Sequence, residues 1–290
     1  STERSRGMSE GAPVSIRDLA IHNARTSGFG AAIHHAGTGA LTLSNLVVTG
    51  NVAGGFGGGI NNNSSASITI QSSTISNNAT QSSSFGGGIN NNWIGSISIA
   101  DSVVSDNLAG GWGGGINNNW TGSISVASSD VSGNAAGGWG GGINNNDLGT
   151  LTVLNSTVSD NSSQGWGGGI NNNDAGPAAI TLTTISGNSA DNGGGINNNE
   201  AGALTLDRST IAGNAATDTS GFGGGGILNN GMGSVTLTAT TVSDNASAGD
   251  GGGGINNNAN GTVTLTNCTI SGNHGSTVGG FVTTSVFTLF

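Results

Sequence analysis

Gly57-Gly58-Gly59-Ile60-Asn61-Asn62-Asn63 is the stretch of this chain that decides its fold. The same seven residues, or a close variant, return along most of the sequence, and one isoleucine marks each copy: Ile33, Ile60, Ile89, Ile116, Ile143, Ile170, Ile196, Ile227 and Ile255. The steps between these isoleucines are 27, 29, 27, 27, 27, 26, 31 and 28 residues. A repeat of this length indicates a solenoid, in which each coil packs mainly on its neighbours.

Each repeat contains segments that are typical of short strands. In the unit that begins at Ile143, the isoleucine opens a first strand, Thr150-Leu151-Thr152-Val153 alternates with period two, and Thr157-Val158-Ser159 forms a third strand. We therefore predict an all-β, single-stranded parallel β-helix of about nine to ten coils over residues 14–275, after a flexible arm over 1–13. In the coil after Ile170, Pro177 is expected to move the second strand to Ala179-Ile180-Thr181-Leu182.

The turn after the third strand has its own pattern. Its first residue is Gly, Asn or Asp in every coil, as in Gly50, Asn77 and Asp106, and these types tolerate positive φ. The next residue is always Asn, from Asn51 to Asn273. Stacked Asn side chains can hydrogen-bond from coil to coil, so we predict an asparagine ladder. The length of the chain varies mainly after this Asn, so this corner should carry the loops.

Charge and cysteine content narrow the classes of function. The net charge is −10, the chain has no lysine, and Arg208 is its one arginine beyond Ile33. A binder of nucleic acid or of an anionic membrane needs several basic residues, so neither partner is expected. Cys268 is the single cysteine and cannot form an internal disulfide. No apolar run is long enough to cross a membrane, so we expect no membrane insertion.

Two signatures carry a family resemblance: Gly-Gly-Gly-Ile, and Ile-Ser-x-Asn at 75–78, 185–188 and 270–273. They resemble the GGAI and FxxN repeats of the chlamydial polymorphic outer-membrane proteins and related bacterial surface proteins, over residues 14 to about 280. The resemblance implies a right-handed β-helix that is secreted or displayed on the cell surface and serves in adhesion or as a stalk. The membrane β-barrel of the self-secreting members has no counterpart in this sequence.

Aromatic residues precede most of the isoleucines by four positions. These are Phe29, Phe56, Phe85, Trp112, Trp139 and Trp166, while Trp93 and Trp120 follow the isoleucine by four. Tryptophans one coil apart could form a strip on which sugar rings stack, which makes a surface glycan a candidate partner. The alternative is a packing stack of offset rings, which gains about 0.5–1.5 kcal/mol per pair.

Asp147, Asp174 and Glu200 occupy the same repeat position as Trp93 and Trp120 in later coils. Three carboxylates on adjacent coils would repel one another, and calcium, which prefers oxygen ligands, could relieve the repulsion. The alternative is a solvated corner in which the carboxylates splay apart and salt screens them. No cofactor is otherwise expected. His34 and His35 replace two of the repeat's asparagines, and end-coil variation explains them more simply than a metal site does.

Hydroxyl side chains alternate outward along the second strands. The candidates for an ice-binding face are Ser67, Thr69, Ser96, Ser98, Ser123, Ser125, Thr150, Thr152, Ser234, Thr236, Thr262 and Thr264. A regular Thr-x-Thr array looks like the ice-binding face of insect antifreeze solenoids. Small and β-branched residues are also what an exposed strand favours for conformational reasons.

The C-terminal residues Phe281, Val282, Val286, Phe287, Leu289 and Phe290 form an apolar tail over 276–290. The tail is expected either to cap the last coil or to pair with another copy. We expect a non-catalytic extracellular structural or adhesive solenoid that self-associates through its end coils. The alternatives are ice binding and carbohydrate binding or degradation. A lyase or hydrolase would have to use Arg208 with acids such as Asp174, and fold alone does not grant that activity.

Overall fold

The chain is an all-β parallel solenoid of about ten coils of about 27 residues. The structure, a computed structural model, describes residues 11–174, 176–283 and 287–289, with side chains as far as Val282. Four parallel sheets run along the solenoid, and we name them A to D in the order in which the chain first enters them. In the described residues we find no helix long and apolar enough to span a bilayer.

Sheet A has eleven strands, and the other three sheets have ten each. The strands of sheet A are Val14–Arg17, Leu41–Ser44, Ser67–Gln71, Ser96–Ala100, Ser123–Ala127, Thr150–Leu154, Pro177–Thr181, Ala203–Asp207, Ser234–Thr238, Thr262–Thr266 and Phe287–Leu289. The strands of sheet B are Ala20–His22, Val47–Thr49, Thr74–Ser76, Val103–Ser105, Asp130–Ser132, Thr157–Ser159, Thr184–Ser186, Thr210–Ala212, Thr241–Ser243 and Thr269–Ser271.

Sheets C and D complete each coil. The strands of sheet C are Arg25–Thr26, Val52–Ala53, Ala79–Ser82, Leu108–Gly110, Ala135–Ala136, Ser162–Ser163, Ser189–Ala190, Ala215–Ala216, Ala246–Ser247 and His274–Gly275. The strands of sheet D are Ile33–His35, Ile60–Asn62, Ile89–Asn91, Ile116–Asn118, Ile143–Asn145, Ile170–Asn172, Ile196–Asn198, Ile227–Asn229, Ile255–Asn257 and Phe281–Thr283.

Two details of the strand prediction are wrong. A coil has four strands rather than three, because the short strands of sheet C contain mostly Ala, Ser and Gly and show no apolar alternation. The strand after Ile170 runs over Pro177–Thr181 and not over Ala179–Leu182. Pro177 opens this strand, where its missing N–H is tolerated, and Leu182 lies in the turn with φ of 52°. The longest insertion, between Ala215–Ala216 and Ile227–Asn229, lies at the corner where loops were expected.

Aliphatic side chains from sheets A, B and D fill the interior. The isoleucines that mark the repeat, from Ile60 to Ile255, are fully buried, and Ile33 at the first copy is 9% exposed. In sheet A the inward residues, such as Leu151 and Val153, alternate with outward hydroxyls such as Thr152. This period-two pattern is what places one face of a parallel strand in the core.

The predicted asparagine ladder lies inside the turn between sheets B and C. Its members are Asn51, Asn78, Asn107, Asn134, Asn161, Asn188, Asn214, Asn245 and Asn273. From Asn51 to Asn245, each Nδ2 donates to the Oδ1 of the next coil at 2.8–3.0 Å. Each Nδ2 also donates to a sheet B carbonyl of the preceding coil, as Asn161 does to Val131 at 2.9 Å. Buried amides are tolerated because these bonds satisfy them.

The three asparagines of the repeated motif form three further ladders. The chain through Asn61 and Asn90 has bonds of 2.7–2.8 Å, and the chain through Asn62 and Asn91 has bonds of 2.7–2.9 Å. The third chain, through Asn63 and Asn92, is partly solvent-accessible, with bonds of 2.7–3.4 Å. The motif is therefore a structural device.

One coil departs from the motif, and an asparagine ladder is interrupted there. Leu228 stands where the motif has its first asparagine, and the Oδ1 of Asn197 one coil earlier is buried without a partner in the described residues. Asn197 still donates to Asn171 at 2.7 Å, so the ladder stops at this coil.

Candidate functional site

The outer surface has three regular features that could bind a ligand: the corner between sheets D and A, the aromatic stack between sheets C and D, and the outer face of sheet A. Each follows from the repeat, because residues at one repeat position lie above one another on successive coils about 4.8 Å apart. The candidate residues predicted from the sequence divide among these three features.

The D–A corner column consists of the residues four positions after each marker isoleucine. Its members from the third full coil onward are Trp93, Trp120, Asp147, Asp174, Glu200, Gly231 and Ala259. All of them have a positive φ, between 52° and 83°. A left-handed conformation costs a non-glycine residue about 1–2 kcal/mol, so this corner holds its side chains at an energetic cost.

The two tryptophans of this column are the most exposed aromatic residues of the chain's described part. Trp93 and Trp120 are 55% and 54% exposed, and their rings stack with centroids 5.8 Å apart and an interplanar angle of 10°. Ile94 and Leu148 at the next repeat position are 64% and 58% exposed. The D–A corner thus presents four large apolar side chains on three successive coils.

The three carboxylates continue the same column. Burial raises the pKa of Asp174 above its ordinary value, and the charges of Asp147 and Glu200 raise it further. The Nδ2 of Asn173 donates to Asp174 at 3.1 Å. In the described part of the chain no group of three or more His, Cys, Asp or Glu side chains is arranged to hold a metal ion. The calcium site at Asp147, Asp174 and Glu200 therefore stays a prediction.

The aromatic stack lies outside the turn between sheets C and D. From Phe56 to Trp166 the neighbouring rings are 4.6–5.7 Å apart with interplanar angles of 2–14°, and Phe29 adds a tilted ring at 5.4 Å. Each inner ring has a neighbour on both faces, so its edge is what remains open to solvent. Trp112, Trp139 and Trp166 therefore pack on one another, and a sugar ring would find no free face on Trp112 or Trp139, while Trp166 ends the stack.

The hydroxyl columns lie in register on the outer face of sheet A. Thr69 pairs with Ser98, Ser98 with Ser125, and Ser125 with Thr152. One column is interrupted at Pro177 and Ala203 and resumes with Ser234, and the other is interrupted at Ala179 and resumes with Thr205 and Thr236. The twelve candidate residues are exposed or half-buried, and their hydroxyls have no hydrogen-bond partner among the described residues. They are available to solvent.

One further ladder, which is formed by Ser and Thr hydroxyl groups, was not predicted from the sequence. Ser73, Ser102, Ser129, Ser156, Thr183, Ser209 and Thr240 stand at the turn between sheets A and B, where each oxygen accepts a backbone N–H of the preceding coil at 3.0–3.4 Å. Cys268 takes this position in the following coil, with its Sγ 3.3 Å from the carbonyl oxygen of Thr266. The signal was present as a Ser or Thr just before the third predicted strand in the seven coils from Ser73 to Thr240. Cys268 is therefore a member of a structural column.

The end coils are less well covered than the middle of the rod. Val14 is 51% exposed, whereas Leu41, its partner in the next coil, is 4% exposed. Ile270 near the other end is half-buried. Phe281–Thr283 and Phe287–Leu289 pair in parallel with sheets D and A, so the tail continues two sheets. Phe281 and Val282 are half-buried, whereas Val286 and Phe290 lie outside the described residues.

No protein-family model, curated protein or solved structure matches this chain. The case for its function therefore rests on the geometry of the solenoid and on the chemistry of its surface columns. Whether the tail is a cap or an assembly strand, and whether residues 1–13 are flexible, stay predictions.

Proposed function

We propose that this chain is a rigid, non-catalytic rod of an extracellular structural or adhesive protein. The proposal rests on one observation: each part of the repeated motif has a structural role in building the coils. Its glycines form the corner, its isoleucine fills the core, and its asparagines hydrogen-bond from coil to coil. Networks of satisfied buried polar groups make a fold stiff and specific.

The surface chemistry supports a role outside the cell. Seven per cent of the residues are charged, and the outer faces of sheets A and B consist mainly of Ser and Thr. Such a surface is hydrated without attracting nucleic acid, which needs Lys and Arg. A stiff rod with a hydroxyl-rich surface suits a stalk or an adhesin.

We place self-association at the end coils. Val14 and Ile16 at one end, and Ile270 and Phe281 at the other, are more exposed than their counterparts in interior coils. Stacking two copies end to end would cover these side chains and continue the parallel sheets. Burial of apolar area gains about 25 cal/mol per Å², which gives the contact its driving force.

Electron microscopy and light scattering test the rod and its assembly. Ten coils give a rod of roughly 48 Å, and end-to-end association gives multiples of that length. Val14→Glu is expected to abolish the longer species by placing a charge in the contact. Met232→Glu is the matched control, since Met232 is 68% exposed on the side of the rod. Assembly that survives Val14→Glu and truncation after Thr277 would refute the end-to-end contact.

The adhesive role needs a separate assay. Fluorescently labelled protein is expected to bind bacterial or host cell surfaces and to be displaced by excess unlabelled protein. Saturable binding supports the role, and the absence of saturable binding to any tested surface contradicts it.

A second candidate function is ice binding, which the in-register hydroxyl columns of sheet A favour. These columns offer uncharged hydroxyls at a regular spacing along a parallel sheet. If the face binds ice, the protein shows thermal hysteresis that Thr152→Tyr reduces, while Thr157→Tyr on sheet B leaves it unchanged. The absence of hysteresis at high protein concentration would reject this function.

We also propose kinship with the repeats of the chlamydial polymorphic outer-membrane proteins. The motifs Gly-Gly-Gly-Ile and Ile-Ser-x-Asn support it, since the first builds the corner before sheet D and the second leads from sheet B into the asparagine ladder. A solved member of that family should then show the equivalent asparagines stacked in the same turn. Asparagines that point into solvent there would argue against kinship.

A further inference from the structure

A shallow hollow lies at the D–A corner, on the side of Trp93 that faces the preceding coil. Asn63, Ser64, Ser65, Trp93 and Ile94 line it. In this hollow an exposed tryptophan borders a concave site.

One face of the Trp93 ring is open to this hollow. The other face stacks on Trp120, with the ring centroids 5.8 Å apart and the planes 10° from parallel. The preceding coil has serines at this corner in place of a large side chain. Ser64 is buried and turns inward, donating to Asn62 Oδ1 at 3.1 Å and accepting the N–H of Ala66 at 3.0 Å. Because the Ser64 side chain points inward, it leaves space over the open face of the Trp93 ring.

The outer asparagine ladder leaves a free donor on Asn63, one of the residues that line the hollow. Each member donates its Nδ2 to the Oδ1 of the preceding coil, as Asn92 does to Asn63 at 3.0 Å. The ladder begins at Asn63, because the preceding coil has Ala36 at this position. Within the described residues the Nδ2 of Asn63 therefore has no acceptor, and Ser65 adds an exposed hydroxyl.

We propose that this hollow binds one ring of a neutral sugar chain. A pyranose has an apolar C–H face and a rim of hydroxyls, which match an open tryptophan face beside an amide donor and a hydroxyl. Binding sites of this kind combine aromatic surface with a few placed polar groups. The five lining residues are uncharged, and the chain carries a net charge of −10, so a neutral sugar fits better than an anionic one. The site rests on the adhesive role proposed above, since it names the ligand class for that surface.

Calorimetric titration of the intact chain tests the site. The probes are neutral oligosaccharides (β-1,4-linked glucose, xylose, mannose and N-acetylglucosamine), with an oligogalacturonate as the anionic comparison. At least one neutral probe is expected to bind, and Trp93→Ala is expected to weaken it at least tenfold, which equals about 1.4 kcal/mol. Ala259 holds the same repeat position with φ of 60°, so alanine is compatible with this turn.

Two further variants separate the hollow from a general effect on the fold. Asn63→Ala removes the free donor and is expected to weaken binding, whereas Asn119→Ala alters the same ladder two coils away and leaves affinity unchanged. Trp166→Phe, in the aromatic stack, is also expected to leave affinity unchanged.

The hollow is rejected if no neutral probe binds at millimolar concentration, or if Trp93→Ala binds as tightly as the natural chain. If the protein binds cells saturably and Trp93→Ala does not reduce that binding, the hollow is rejected as the sugar site and the adhesive role is left intact. The absence of cell binding, with sugar binding that depends on Trp93, would reject the adhesive role and leave the hollow.

Discussion

Asn161→Leu is expected to destabilise the solenoid by about 2–6 kcal/mol. Asn161 is 1% exposed, and its Oδ1 accepts both the backbone N–H and the Nδ2 of Asn134, at 3.0 and 2.9 Å. Leucine accepts neither bond, so the backbone N–H and one of the two Nδ2 hydrogens of the fully buried Asn134 lose their acceptor, while the Nδ2 keeps its bond to the carbonyl oxygen of Val104 at 2.9 Å. A buried N–H without an acceptor costs about 1–3 kcal/mol, and two of them give the stated range. Leu228 shows that leucine can stand in a neighbouring asparagine column.

The assay is urea unfolding followed by circular dichroism, together with hydrogen exchange of individual coils. Exchange is included because stacked repeats can open locally before they unfold as a whole. Asn119→Leu is the matched control: Asn119 is half-buried, its ladder bonds are 3.3 and 3.4 Å, and water can replace them. We expect the control to cost less than about 1 kcal/mol. Equal costs for the two variants would refute the reasoning that the buried ladder stabilises the rod.

Three further changes test the corners and the stack. Gly141→Ala is expected to lower the midpoint of thermal unfolding strongly, because a Cβ there would lie 2.3 and 2.5 Å from two backbone carbonyl oxygens. Gly213→Asn is the control: a Cβ at Gly213 has no such contact, so this variant should leave the midpoint nearly unchanged. Asp147→Asn should lower the pKa of Asp174, measured by carboxyl-detected NMR, because the charge of Asp147 helps to raise it. Because the pKa of Asp174 is raised in the folded state, this carboxyl stabilises the fold at pH values below its ordinary pKa, and the contribution is lost as pH rises through its folded-state pKa. Asp147→Asn should reduce this loss of stability. An unchanged titration of Asp174 in the variant would contradict the electrostatic coupling between the two carboxyls. Trp139→Ala should cost about 1–3 kcal/mol from two lost ring pairs, and Trp139→Phe, which matches Phe56 and Phe85, should cost less than half as much in the same urea assay.

The sequence predicted the stacking because the repeat is almost perfect. A period near 27 residues, one buried isoleucine per turn and an invariant asparagine after the third predicted strand are local facts, and each has one simple structural meaning. The turn residue before that asparagine also behaved as predicted, with φ between 55° and 67° in every coil from Gly50 to Gly272.

Sheet C could not be predicted from the sequence. Its strands are mostly two residues long, as in Ala135–Ala136, and a pair of small residues has no periodicity to detect. These strands exist because the neighbouring coils hold the backbone in place and supply partners for its N–H and C=O groups. The ladder of Ser and Thr at the turn between sheets A and B depends in the same way on the coil that precedes it.

The sequence by itself determined the rod: its coils, its isoleucine core and its stacked asparagines, because these depend on spacing along the chain. The tertiary structure alone decided how the aromatic residues are used. It turned the faces of Trp112 and Trp139 toward neighbouring rings and left one face of Trp93 open, because the preceding coil has an inward-turned serine there. Spacing places a residue in a column, but the packing of adjacent coils decides which side of it a ligand can reach.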